Sequence, residues 1–139
     1  MRFKDFNLEV VNVERYSSDY SMTVNKNFVT FSKGIVQALE YPAHVLVAFN
    51  KDTKVMGIQV CRAKTRGAFS FSKPVGEQKG IVQVGHKNLK ETLLTIMSEW
   101  KSDKRYRVEG IHIPEDKAFI FELKDFEELS DFRKNDNKY

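Results

Sequence analysis

The chain has 139 residues, 41% of them hydrophobic and 30% charged, with eleven Phe and five Tyr. That composition fits one globular domain and excludes a disordered or fibrous protein. The net charge of +4 and pI near 9.1 favour polyanions among partners, and the single cysteine, Cys61, excludes a disulfide framework and a multi-cysteine zinc site. The N-terminus MRFKDFNLEVVNVERY lacks the apolar core of a signal peptide, and no run approaches eighteen apolar residues, so the expectation is a cytoplasmic protein with no membrane partner.

In chain order, Phe6 to Tyr16 alternates imperfectly through Leu8, Val10, Val11 and Val13, which predicts an N-terminal strand. Two short β-prone runs follow, Ser21 to Val24 and Phe28 to Phe31, separated by the turn-tolerant Asn25, Lys26 and Asn27. Ser32 is placed to cap a short helix over Lys33 to Glu40, whose Ile35, Val36 and Leu39 share a face and which Pro42 ends. His44 to Phe49 and Val55 to Val60 then read as a hairpin. Val45, Val47 and Phe49 alternate against Met56, Ile58 and Val60.

A connector over residues 62–80 carries Arg62, Lys64, Arg66, Lys73 and Lys79 against one acid, Glu77. Within it, Ala68 to Ser72 predicts a strand and PVGEQKG a loop. After a short strand at Ile81 to Val84 comes the clearest helix. Asn88 and Glu91 have the spacing of a capping pair, and Leu89, Leu93, Ile96, Met97 and Trp100 recur at helical intervals, a stripe whose ordinary role is a core face. Tyr106 to Ile113 and Ala118 to Leu123 form a second hairpin around Pro114, Glu115 and Asp116, with a bulge expected at Gly110. The acid-leaning run Glu122 to Asp131 predicts a final helical turn packed by Phe126, Leu129 and Phe132, and 133–139 a frayed tail.

The order strand, helix, hairpin is therefore expected twice, in residues 21–61 and 81–123 of a single domain. The first block, NFVTFSKGIVQALEYPAHVLVAFNKDTKVMGIQV, resembles the AbrB and MraZ group of swapped-hairpin DNA-binding proteins. Lys33 and Leu39 match the group's Lys and Leu, whereas Asn27 and Phe28 stand where its Gly-Arg would be, Ser32 replaces its Pro and Val36 its Arg. The resemblance covers roughly a quarter of the chain. It implies a mainly β, α+β fold: a pseudo-twofold AbrB-like barrel of two blocks, with the N-terminal strand as an addition. It also implies double-stranded DNA as partner, although the two missing arginines are groups that would help contact it. The second block shares only the order of elements.

Function rests on charge. CRAKTRGAFSFSK interleaves basic and aromatic residues as nucleic-acid surfaces do, though the same run suits a solvated connector leading into a core strand. Its likeness to an RNA-recognition RNP1 pattern stops at Ala68, where an aromatic is expected. Lys26, Lys33, Arg62, Lys64, Arg66 and Lys73 are the candidate DNA contacts, and Lys87 another cation near a helix start. His44, His86 and His112 are scattered, with no Ser-His-Asp order, no HExxH and no glycine loop of the GxGxxG or GxxxxGK type, so neither catalysis nor a cofactor or metal is expected. His112, within an alternating strand, reads as a structural histidine. A protein-interaction module that modulates a host or mobile-element protein is the alternative. The two blocks leave open pairing within one chain or a swapped homodimer.

Overall fold

The computed structural model describes residues 20–129. The expected strand at Phe6 to Tyr16, Phe132 and the 133–139 tail lie outside them. The described residues form one eight-stranded antiparallel sheet curled into a half-barrel, with two helices. The strands are β1 (Ser21–Val24), β2 (Val29–Phe31), β3 (His44–Asn50), β4 (Val55–Val60), β5 (Phe69–Ser70), β6 (Val82–Val84), β7 (Arg105–Ile113) and β8 (Ala118–Leu129). The helices are α1 (Lys33–Ala38) and α2 (Lys87–Ile96). Strand order across the sheet is β5-β3-β4-β8-β7-β1-β2-β6.

Alternation fixes which face is buried. The first hairpin has the expected register, with Val45 opposite Val60, Val47 opposite Ile58 and Phe49 opposite Met56. In the second, the register shifts between Val108 and Gly110, at the expected bulge. It keeps Tyr106 and Val108 buried before the shift and packs the His112 ring on Phe119 after it, at 4.8 Å between centroids. The concave side gathers Met22, Phe31, Met56, Ile58, Phe119, Phe121 and Leu123 into the core.

The two helices start at opposite ends of the sheet, α1 after β2 and α2 after β6, which pair antiparallel. Helix α1 leaves β2 and returns to β3 with Ile35, Val36 and Leu39 buried. It stops before Pro42: Glu40 and Tyr41 take left-handed φ of 61° and 56°, and the Tyr41 N–H donates to Val36 O at 3.0 Å. Ser32 is the N-cap residue by position, but its side chain makes no capping bond; its Oγ accepts from the Ser21 N–H at 3.0 Å, joining β1 to β2 instead. Helix α2 buries Leu89, Leu93 and Ile96 as its spacing predicts, but it ends at Ile96, so that Met97 is its C-cap and Trp100 is buried beyond it, and it begins two residues early. His86 is its N-cap, which moves Asn88 inside the helix and undoes the expected Asn88–Glu91 capping pair. Trp100 stacks on Tyr106 with centroids 4.6 Å apart.

Two further expectations are corrected. The strand at Ala68 to Ser72 is only Phe69–Ser70, paired with Val45 and His44, while the Phe71 and Ser72 N–H groups donate to Ala43 O and Pro42 O ahead of β3. The acid-leaning run after Leu123 is not helical up to Leu129. It continues β8, paired with Arg105 to Val108 of β7, so sheet pairing outweighs the helix preference of Glu and Leu. The order strand, helix, hairpin does occur twice, as β2-α1-β3-β4 and β6-α2-β7-β8. The hairpins adjoin through β4 and β8, the strand β1 lies between β7 and β2, and the leading strands β2 and β6 pair with each other.

Candidate nucleic-acid interface

Strand direction decides which loops share an end of the sheet. The Val60 N–H donates to Lys117 O at 3.0 Å, placing the end of β4 beside the start of β8. The Gly110 N–H donates to Tyr20 O and the Ser32 N–H to Ser21 O, both at 2.9 Å, which brings the start of β1 and the end of β2 to the same end. The Ser72 N–H donates to Pro42 O at 3.0 Å, adding the segment after β5. Lys33, Arg62 and Lys73 therefore leave β2, β4 and the segment after β5 at one end of the half-barrel, while Lys64 and Arg66 follow Arg62 in the loop that runs back along β3 to Gly67, beside Leu46; all five are exposed. Lys26 does not join them. It sits in the β1–β2 turn, at the opposite end, where Lys51 and Lys87 also lie.

The two ends differ in how their cations are accompanied. From Cys61 to Lys73 there are four basic residues and no acid, and no side chain of these four holds an ion pair among the described residues. At the opposite end, Lys87 lies 3.8 Å from Glu91, and Asp52 follows Lys51. Two lysines there are structural. Lys54 Nζ donates to Ile96 O at 2.7 Å, satisfying a terminal carbonyl of α2. Lys90 is buried to 8% exposure and its Nζ donates to Asn25 O, to Lys26 O at 2.8 Å and to Ser102 O at 3.3 Å. Burial holds its pKa below the ordinary 10.5. The Arg105 Nε donates to Asn25 Oδ1 at 3.0 Å, so the turn bearing Lys26 is fastened from both sides.

Sequence reasoning missed Lys90. The available signal was its place on α2 directly after Leu89 and three before Leu93, on the margin of the apolar stripe. Cys61 is half-buried at the end of β4, and among the described residues no group of three His, Cys, Asp or Glu side chains could hold a metal ion. No helix among them is long and apolar enough to cross a membrane. Comparison with known proteins finds no match to a family model, to a curated protein or to a solved structure.

Proposed function

We propose that the chain is a non-enzymatic, cofactor-free DNA-binding regulator or accessory factor that docks on double-stranded DNA through the basic loop after β4, with Arg62, Lys64, Arg66 and Lys73, and Lys33 at the start of α1. The observation that carries this reading is the acid-free run from Cys61 to Lys73, exposed beside the start of α1. Unpaired surface cations release counterions from the phosphate backbone on contact, whereas cations already facing carboxylates contribute less. The reading takes the two strand-helix-hairpin blocks as AbrB-like halves of a pseudo-twofold barrel. In support, α1 and α2 start at opposite ends of the sheet and the hairpins meet along β4 and β8. Lys26 drops out of the interface, being at the other end.

The test is a gel-shift series at rising salt with duplex DNA. Binding that weakens steeply with salt, and less steeply in Arg62→Glu/Lys64→Glu/Arg66→Glu, supports the reading; no binding at low ionic strength removes it. A protein-interaction module is the second reading. It is favoured by an outward-facing row of small and apolar residues across four strands, Ala48, Gly57, Ile120 and Ile111, of which Ile111 is 49% exposed.

A further inference from the structure

The sheet has two outer strands, β5 and β6, which do not pair, and the Phe69 ring of β5 stands 6.4 Å from that of His86, just after β6. Toward the end that carries the basic loop, the seam is filled by aromatic packing, with Phe71 and Phe31 centroids 5.3 Å apart. Toward the other end it opens into a cleft of about 370 Å³ between β3, the residues leading into β5, and the first turns of α2. Val47, Phe49, Phe69 and Leu89 make its apolar lining, and His86 and Thr92 its edge.

One wall of this cleft is an unfinished strand edge. The Cys61 N–H donates to His44 O, and the Phe71 N–H donates to Ala43 O. Even-numbered positions of β3 therefore turn their backbone groups toward β4, and odd-numbered ones toward the β5 side. Pairing with β5 stops at Val45, since that strand is two residues long. The N–H and C=O groups of Val47 and Phe49 thus face the seam with no strand partner among the described residues. Their side chains meanwhile line the cleft. Backbone donors and acceptors at strand spacing, beside an apolar trough, are complementary to extended polypeptide, and a compact small molecule satisfies only part of that pattern. Lys51 follows the open part of β3 and Lys87 flanks His86, each with an acid beside it, Asp52 and Glu91, so backbone pairing and apolar contact rather than charge select the occupant.

We propose that this seam is a peptide-docking site. An extended segment of another protein, apolar at alternate positions, adds to the sheet along Val47 and Phe49 and places an apolar side chain against Phe49, Phe69 and Leu89. The far end of the basic loop, Gly67 and Ala68, forms part of its wall, but the proposal rests on the β3 edge and not on the DNA reading.

The test has two parts, both on the full chain. Amide exchange followed by NMR reads the edge directly: the Val47 and Phe49 amides exchange fast and those of Leu46 and Ala48 slowly. Protection of Val47 and Phe49 in the free monomer overturns the proposal, because the edge is then already covered. A phage-displayed library of seven-residue peptides is then selected on the wild type and on Thr92→Trp, which fills the cleft from the half-buried face of α2; Thr92→Phe serves if the larger ring perturbs folding. The expected result is enrichment of peptides apolar at alternate positions that lose affinity at least about tenfold on the filled variant, and about tenfold on methylation of the amide nitrogen facing β3. No enrichment, or equal capture by wild type and filled variant, overturns the proposal. So does self-association in sedimentation that the filled variant abolishes, since the occupant would then be a second copy of this chain.

Discussion

Lys90→Met should destabilise the fold measurably although it replaces a buried charge with an apolar side chain of similar length. The lysine reaches from α2 to three backbone carbonyls, those of Asn25 and Lys26 in the β1–β2 turn and of Ser102 in the α2–β7 connection. A hydrogen bond to a charged group contributes about 1.5–3 kcal/mol, and a buried carbonyl left without a donor costs about 1–3 kcal/mol. Against this, methionine relieves the desolvation that holds the ammonium pKa down, and water can reach a turn whose Lys26 and Asn27 are exposed. The balance is a loss of about 2 kcal/mol at pH 7, which moves a urea midpoint by about 1 M for a chain of this size. The pH dependence carries an independent sign. A lysine whose folded pKa lies below its unfolded value binds fewer protons when folded, between those two values, so its contribution to stability rises with pH there. The gap between wild type and Lys90→Met should therefore widen as pH climbs from the lowered folded pKa toward 10.5. Urea denaturation of both proteins at a series of pH values measures it. Equal stability at pH 7, or a gap that narrows toward pH 10, would refute the reasoning.

Other outcomes follow from particular contacts. A Cβ added at Gly110 would stand 3.0 Å from both Phe119 Cδ1 and Phe121 Cε1, and since both rings are fully buried, Gly110→Ala should cost about 1–3 kcal/mol by thermal melting. A change under half that range would mean the bulge can give. Phe31→Ala removes a fully buried ring that meets Phe71 and Phe121, and should lose about 3–5 kcal/mol in denaturant titration, a large share of the stability of an ordinary domain. Lys54→Met should cost about 1 kcal/mol by removing the donor from Ile96 O, with faster amide exchange in the last turn of α2 as its local signature.

Much of the fold was legible because its largest elements are locally patterned. The first hairpin was readable to the residue, since Val45, Val47 and Phe49 must share a face with Met56, Ile58 and Val60 for either strand to bury anything. The apolar stripe of α2 and the bulge at Gly110 were equally visible. What stayed hidden depended on distant partners. Residues Lys124 to Leu129 read as helix because nothing in DFEEL announces that β7 waits opposite it, and the insertion of β1 between β7 and β2 has no local mark. Lys90 looked like any surface lysine until the turn and the connection it binds were brought to it. The candidate interface divided along the same line. The acid-free basic run could be read directly, whereas the separation of Lys26 from Lys33 follows from antiparallel strand directions, which put residues seven apart at opposite ends of the sheet.

The most direct measurement is the salt dependence of duplex-DNA affinity, by fluorescence anisotropy, for three proteins: wild type, Arg62→Glu/Lys64→Glu/Arg66→Glu, and Lys26→Glu/Lys51→Glu/Lys87→Glu at the opposite end. Each lost phosphate contact should lower the slope of log K against log salt by about 0.9, so the first variant should fall about 2.7 below wild type while the second keeps the wild-type slope. Absence of binding at low salt, or equal loss in both variants, would contradict a DNA interface on the basic loop.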